Sequence, residues 1–240
     1  MTVGAAAAPV GRVGALRIFS RNRAAALCAV VLVLLIALAA IGPFLTAFDP
    51  DKVGAGPAMA APSATYPMGT DDLGRDVLSR AVVGLRVSLL VGLGAAGIAT
   101  VLGIVVGGTA GFFGGRIDDL LMRVTEVFQV VPRFFLAILL VAFFGASIFN
   151  ILIAIAVLSW PEVARVLRAD FLSLRNRQFV DAARLAGASR SELIFLEILP
   201  NAMGPVVVNA TLQVGQAMLL EAGLSYLGLG DPSQVSLGLM

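Results

Sequence analysis

The 240-residue sequence is 59% hydrophobic and 13% charged, has a formal net charge of +2, and contains no histidine, a single cysteine (Cys28) and a single lysine (Lys52). Without histidine it cannot build a Ser-His-Asp or Cys-His catalytic centre or a His-ligated zinc site, and Lys52, between Asp51 and Val53, belongs to no G-K-S/T phosphate loop. A mean hydropathy of +0.96 and apolar runs of about twenty residues instead match the demands of hydrocarbon, so the expected fold is an all-α, polytopic membrane helix bundle.

In chain order, a charge at mid-span costs about 2.5 to 3.5 kcal/mol, so spans are drawn to avoid central charges. The first runs from Ala24 to Leu45 without a charge, too long for the h-region of a cleaved signal peptide, the rival reading for a run preceded by Arg21 and Arg23. A loop follows to Arg86, then a second span over Val87 to Gly114. The third must begin near Leu120, because Phe134 to Phe144 alone gives only about 16 Å of helix. Its start then carries Arg123, Glu126 and Arg133 on one helical face, which should meet protein, headgroups or water. Ser147 to Leu167, with Pro161 near its end, is the fourth span, and Asn201 to Leu220 the fifth.

Arginines set the orientation. Arg12, Arg17, Arg21 and Arg23, then Arg116, Arg123 and Arg133, then Arg165, Arg168, Arg175, Arg177, Arg184 and Arg190 all fall on one side. The positive-inside rule therefore places the N-terminus and the segment before span five in the cytoplasm, and the 46–86 loop outside.

Two glycine patterns need separating. Gly92-Leu93-Gly94-Ala95-Ala96-Gly97 fits G-x-G-x-x-G, yet it lies in an apolar span and follows no strand, so dinucleotide binding is rejected. Gly103, Gly107, Gly111 and Gly115 recur every four residues, which gives one face of span two a smooth stripe for close helix packing, within this chain or against another.

The stretch FVDAARLAGASRSELIFLEILPN (Phe179 to Asn201) is dense in charge and small residues between two apolar runs. Asp181 suits the first turn of a helix, where its carboxylate opposes the dipole and can reach free N–H groups. Gly187 is the expected stop, and Ser189 to Glu192 offers a capping box for a second short helix, ended by Leu199-Pro200. Ala183 and Gly187 lie four apart, a bare face suited to a groove on another protein. An amphipathic loop lying on headgroups is the bland alternative.

D-A-A-x-x-x-G followed by L-P resembles the EAA loop of bacterial ABC importer permeases, with Asp181, Ala182, Ala183, Gly187, Leu199 and Pro200 at the matching positions. YPMGTDDLGRDVLSR (Tyr66 to Arg80), GFFGGRIDDLLMR (Gly111 to Arg123), SWPEVARVLRADFLSLRNRQFVDAARLAGAS (Ser159 to Ser189) and EAGLSYLGLG (Glu221 to Gly230) are together similar to the second permease subunit of dipeptide, oligopeptide and nickel importers. The resemblance extends from about Arg17 onward. It implies a cytoplasmic tail over 1–23, a first transmembrane helix over 24–45, an extracytoplasmic loop over 46–86, and a permease domain over 87–240 with its coupling loop at about 168–200. It further implies a bacterial plasma-membrane location, no cofactor, and no catalysis by this chain. The implied partners are a second permease, two cytoplasmic ATP-binding subunits, an extracytoplasmic solute-binding protein and the lipid bilayer, with no nucleic acid. The substrate class is peptides or a related solute such as a nickel complex. The sequence departs from the family in three ways. Asp181 replaces glutamate, Glu197 stands where histidine is common, and the sixth span expected after Gly230 is missing, which leads to the expectation of an external C-terminus and of activity only once a sixth span is supplied.

On span five, Asn209, Gln213 and Gln216 share a face. They suit either the lining of a peptide path or hydrogen-bonded attachment to a neighbouring helix. Asp71, Asp72, Arg75 and Asp76 in the external loop could meet the binding protein or form an ion-paired cap. A secondary transporter or channel subunit is the alternative function, though no expected span centre carries an ion-coupling carboxylate.

Overall fold

The computed structural model describes residues 22–46 and 48–240, so nearly all of the tail expected over 1–23 lies outside the described residues. Helix α1 (Arg23–Leu45) starts at Asn22, whose side chain accepts from the Ala25 amide at 3.2 Å. Its 23 residues give about 35 Å of helix, enough for the roughly 30 Å hydrocarbon layer. Most of its large side chains are exposed, and it meets the bundle where Gly42 closes on Val82.

Helix α2 (Val77–Phe113) begins ten residues before the expected span. Asp76 caps it, accepting from the Ser79 amide at 2.8 Å and the Ser79 hydroxyl at 2.6 Å. Arg80 and Arg86 marked the edge of the hydrocarbon, but a capped helix continues past that edge into the loop.

The third span is not one helix. α3 (Gly115–Val130) and α4 (Arg133–Phe144) meet at 84°. Pro132 lacks an N–H and pushes Val131 out of the α region, to φ −93° and ψ 134°. The break removes Arg133 from the face of Arg123 and Glu126; it pairs instead with Glu162 of helix α5 (Ile148–Leu174). α5 runs seven residues past the expected Leu167, with Pro161 accommodated inside it.

Helix α6 (Gln178–Leu185) is followed by a turn and the single turn α7 (Arg190–Glu192). The chain then passes through a π-helical turn, Leu193–Ile198, straight into α8 (Leu199–Leu224). The expected stop at Leu199-Pro200 is therefore absent. Pro200 cannot donate to the carbonyl four residues back, and the widened turn absorbs that mismatch without ending the helix. After α8, a second π-helical turn (Ser225–Leu229) leads to a terminal segment that folds back onto α2 and α8.

The core lies where α2 and α5 pack along each other, with α8 against both. The glycine stripe is responsible. A methyl group at Gly103 would strike Val163, one at Gly107 the Ala164 backbone, and one at Gly111 Phe171 and the Arg168 backbone. Gly115 faces open space because α2 has already ended, so the stripe has three members, all used inside this chain. Gly92 and Gly94 of the rejected dinucleotide pattern likewise sit against Val214 and Met218 of α8 and Leu152 of α5. One apolar cluster joins Val91, Ala95, Val141, Ile151, Ile155 and Leu224; a second joins Leu167, Phe171, Val180, Leu193, Ile198 and Val206.

Candidate functional site

The polar stretch between α5 and α8 is anchored at one side and bare on the other. Val180, Leu193 and Ile198 are fully or almost fully buried in the second apolar cluster, which fixes α6 and the π-helical turn to α5. Gly187, at φ +91°, reverses the chain after α6; its amide donates to the Arg184 carbonyl at 3.1 Å and no atom stands where a Cβ would lie. Only glycine adopts that backbone without strain. Ser189 and Glu192 form the expected capping box, the Ser189 amide donating to the Glu192 carboxylate at 2.6 Å.

The exposed face of this loop differs from the one expected. Asp181, Ala182 and Gly187 are exposed, but Ala183 is half-buried against the apolar cluster. The large apolar group on the open face is Leu185, 90% exposed. Its signal in the sequence is an apolar residue one after Arg184 and four after Asp181 on the polar side of a short helix. Asp181 does stand in the first turn of α6, yet its carboxylate accepts from Arg184 at 3.2 Å and not from backbone amides. That pair is more than half exposed and contributes little. Leu199 is half-buried and Pro200 exposed at the start of α8.

Charged groups brace the same end of the bundle. Arg168 of α5 holds both carboxylate oxygens of Asp118 of α3, and Arg175 donates to the Gly111 and Phe112 carbonyls at 3.0 and 3.2 Å, closing the C-terminus of α2. Beside them, Asp119, Arg123, Glu126 and Arg165 line an open cleft of about 400 Å³ between α3 and α5.

Of the three polar residues on α8, two come together. Gln213 is 2% exposed, and its amide donates to the Ser159 carbonyl of α5 at 3.2 Å and to the Asn209 side chain at 3.0 Å. Asn209 is half-buried, whereas Gln216 is exposed and joins neither. The 48–76 loop is folded onto the start of α2. Phe48 stacks on Tyr66, Asp71 pairs with Arg75 at 2.6 Å, and Arg80 reaches Asp51 and Asp71 at 3.8 and 3.9 Å. Burial pushes the Asp71 carboxyl up, but hydrogen bonds from Arg75 and Leu73 outweigh it and hold the group below its ordinary range.

A further polar group escaped the sequence reading because it was placed just past the end of span five. Glu221 lies inside α8 and is 2% exposed, accepting from Ser88 of α2 at 3.0 Å and Ser225 at 2.7 Å.

Long apolar helices packed on a glycine stripe, with a short polar helical loop leading into the last of them, make a multi-pass membrane helix bundle. The chain belongs to the family of binding-protein-dependent transport system inner membrane components, which matches residues 99–238. Residues 13–63 match the N-terminal transmembrane domain of oligopeptide transport permease C. The chain is 37% identical over 218 residues to the oligopeptide transport system permease protein OppC of Bacillus subtilis, covering 91% of this chain and 72% of that one. It is 40% identical over 222 residues to OppC of Escherichia coli K12, covering 92% and 74%. To the dipeptide transport system permease protein DppC of Bacillus subtilis it is 38% identical over 214 residues, covering 89% and 67%. The chain is thus a membrane permease subunit of an importer of this type, and the secondary-transporter or channel reading is set aside.

Proposed function

We propose that this permease subunit, paired with a second permease, forms the translocation path of an ATP-driven importer for dipeptides or oligopeptides. It would receive substrate from an extracytoplasmic binding protein and take its energy from two cytoplasmic ATP-binding subunits. The N-terminus and the α6–α7 loop lie in the cytoplasm on this reading, which the arginine distribution supports. The substrate class rests on the relatives, whose names specify oligopeptide and dipeptide transport.

One observation carries the coupling role: the loop presents Leu185 and the glycine turn outward while its other face is locked into the core. The exposed leucine and the small residues Ala182, Ala186 and Gly187 form a low-relief apolar knob that fits a groove on an ATP-binding subunit. From α7 the helix continues unbroken into α8, so a displacement of the knob moves α8 as a rod, and Val180 passes it to α5. Closure of the ATP-binding pair would in this way swing the polar face at Asn209 and Gln213 between the two sides of the membrane. Asp181, Ala182, Ala183, Gly187, Leu199 and Pro200 are the proposed coupling residues. Asn209, Gln213 and Gln216 are the proposed path lining, Gln213 also tying α8 to α5.

The test is reconstitution. Proteoliposomes holding this chain, a second permease, the ATP-binding subunits and the binding protein should accumulate a labelled peptide only with ATP, while the purified chain alone neither hydrolyses ATP nor transports. ATP hydrolysis by the chain alone, or peptide uptake without the ATP-binding subunits, would overturn the reading.

A further inference from the structure

Glu221 is nearly inaccessible, and no arginine or lysine pairs with it among the described residues. Arg86, two positions before Ser88 on α2, is exposed and on another face. Every side chain that reaches the carboxylate is a neutral hydroxyl: Ser88 of α2 donates to Oε2 at 3.0 Å and Ser225 to Oε1 at 2.7 Å. Ser236, from the terminal segment, donates to Ser225 at 3.2 Å. All three serines are buried. A carboxylate in this setting has its hydrogen bonds but no compensating charge, and burying an uncompensated charge is far costlier than missing a hydrogen bond.

We propose that Glu221, Ser88, Ser225 and Ser236 form a binding site for a monovalent metal cation of the sodium class, at the end of α8 far from the polar loop. Five side-chain oxygens gather there from α2, α8, the π-helical turn after it and the terminal segment, joined in a chain by hydrogen bonds of 2.7 to 3.2 Å, and rotation of the three hydroxyls would turn their lone pairs toward a cation. The site is also at the C-terminal end of α8, where the helix dipole adds negative potential. Its charge fits one positive unit. A divalent ion calls for more carboxylates, and no group of three or more Asp, Glu, His or Cys gathers among the described residues.

Glycines build the enclosure. A methyl group on Gly230 would meet Ser225 Oγ at 2.7 Å, one on Gly84 the Leu237 amide at 3.0 Å, and one on Gly238 the Ala222 backbone. These three positions let the terminal segment press onto α2 and α8 and deliver Ser236. A bound cation would therefore clamp α2, α8 and that segment together.

The experiment uses the full chain in detergent micelles, at fixed ionic strength, in sodium or in N-methyl-D-glucamine chloride. Sodium should raise the unfolding midpoint saturably, and equilibrium dialysis with radioactive sodium should find one ion per chain. Ser236→Ala should weaken sodium affinity by about tenfold and Glu221→Gln should abolish sodium binding, each read as the sodium-dependent rise above that variant's own midpoint in N-methyl-D-glucamine. Identical midpoints in the two salts with no bound sodium would overturn the proposal. So would sodium binding that survives undiminished in both variants.

Discussion

Replacing Gly107 by alanine tests the packing on which the bundle depends, and Gly97→Ala is its matched control. Both glycines lie inside α2, so each substitution gains about 0.5–1 kcal/mol of helix preference. Around Gly97 no atom lies within 4 Å of the added methyl, so that gain is the whole effect. At Gly107 the methyl would fall on the carbonyl and Cα of Ala164, backbone atoms of α5 that have no rotamer to change. The helices must separate, and forced overpacking of this kind costs about 1–3 kcal/mol. Because the helix-preference gain cancels between the variants, their difference reads the steric cost directly. For a chain of this size each kcal/mol moves the unfolding midpoint by roughly 2–4 °C. Thermal unfolding in one detergent should place Gly107→Ala below Gly97→Ala by several degrees. Equal midpoints would show that α2 and α5 do not approach each other through the glycine stripe.

Gly187→Leu places a branched side chain at φ +91°, a strain of about 1–2 kcal/mol, and enlarges the knob; recovery of the ATP-binding subunits in pull-down and peptide uptake should fall together while membrane insertion is kept. A double-mutant cycle on Arg133→Ala and Glu162→Ala should return a coupling of about 1 kcal/mol, since the pair is only partly screened, and a value near zero would remove the tie between α4 and α5. The depressed Asp71 carboxyl stabilises the folded 48–76 loop above the ordinary carboxylate range and loses that contribution as pH falls through its folded value. Protease resistance of the loop should thus hold steady down to about pH 4 and fade below it, and Asp71→Asn should remove that dependence.

Much of this architecture was legible from hydropathy and charge, because a membrane helix must satisfy its own backbone and avoid central charge. What hydropathy misses is helix that extends beyond the hydrocarbon, as at Val77 and Leu174, where capping and packing decide the ends. Proline read two ways. Pro132 breaks a helix and turns it by 84°, whereas Pro200 is absorbed by a π-helical turn; which outcome occurs depends on neighbours that one sequence does not display. The short helices before α8 were readable from Gly187 and the Ser189 box because capping chemistry is local. Leu185 and Glu221 were not, since exposure of one and burial of the other are properties of the packed chain.

The most direct measurement is cross-linking in the assembled complex, with Leu185→Cys and, separately, Ser63→Cys, each in a Cys28→Ala background. Cysteine at 185 should cross-link to the ATP-binding subunit, with a yield that changes when ATP is added, while cysteine at 63 should react only from the extracytoplasmic side. Failure of cysteine 185 to reach the ATP-binding subunit in a complex that still imports peptide, or its capture by the binding protein, would contradict the coupling role of the loop.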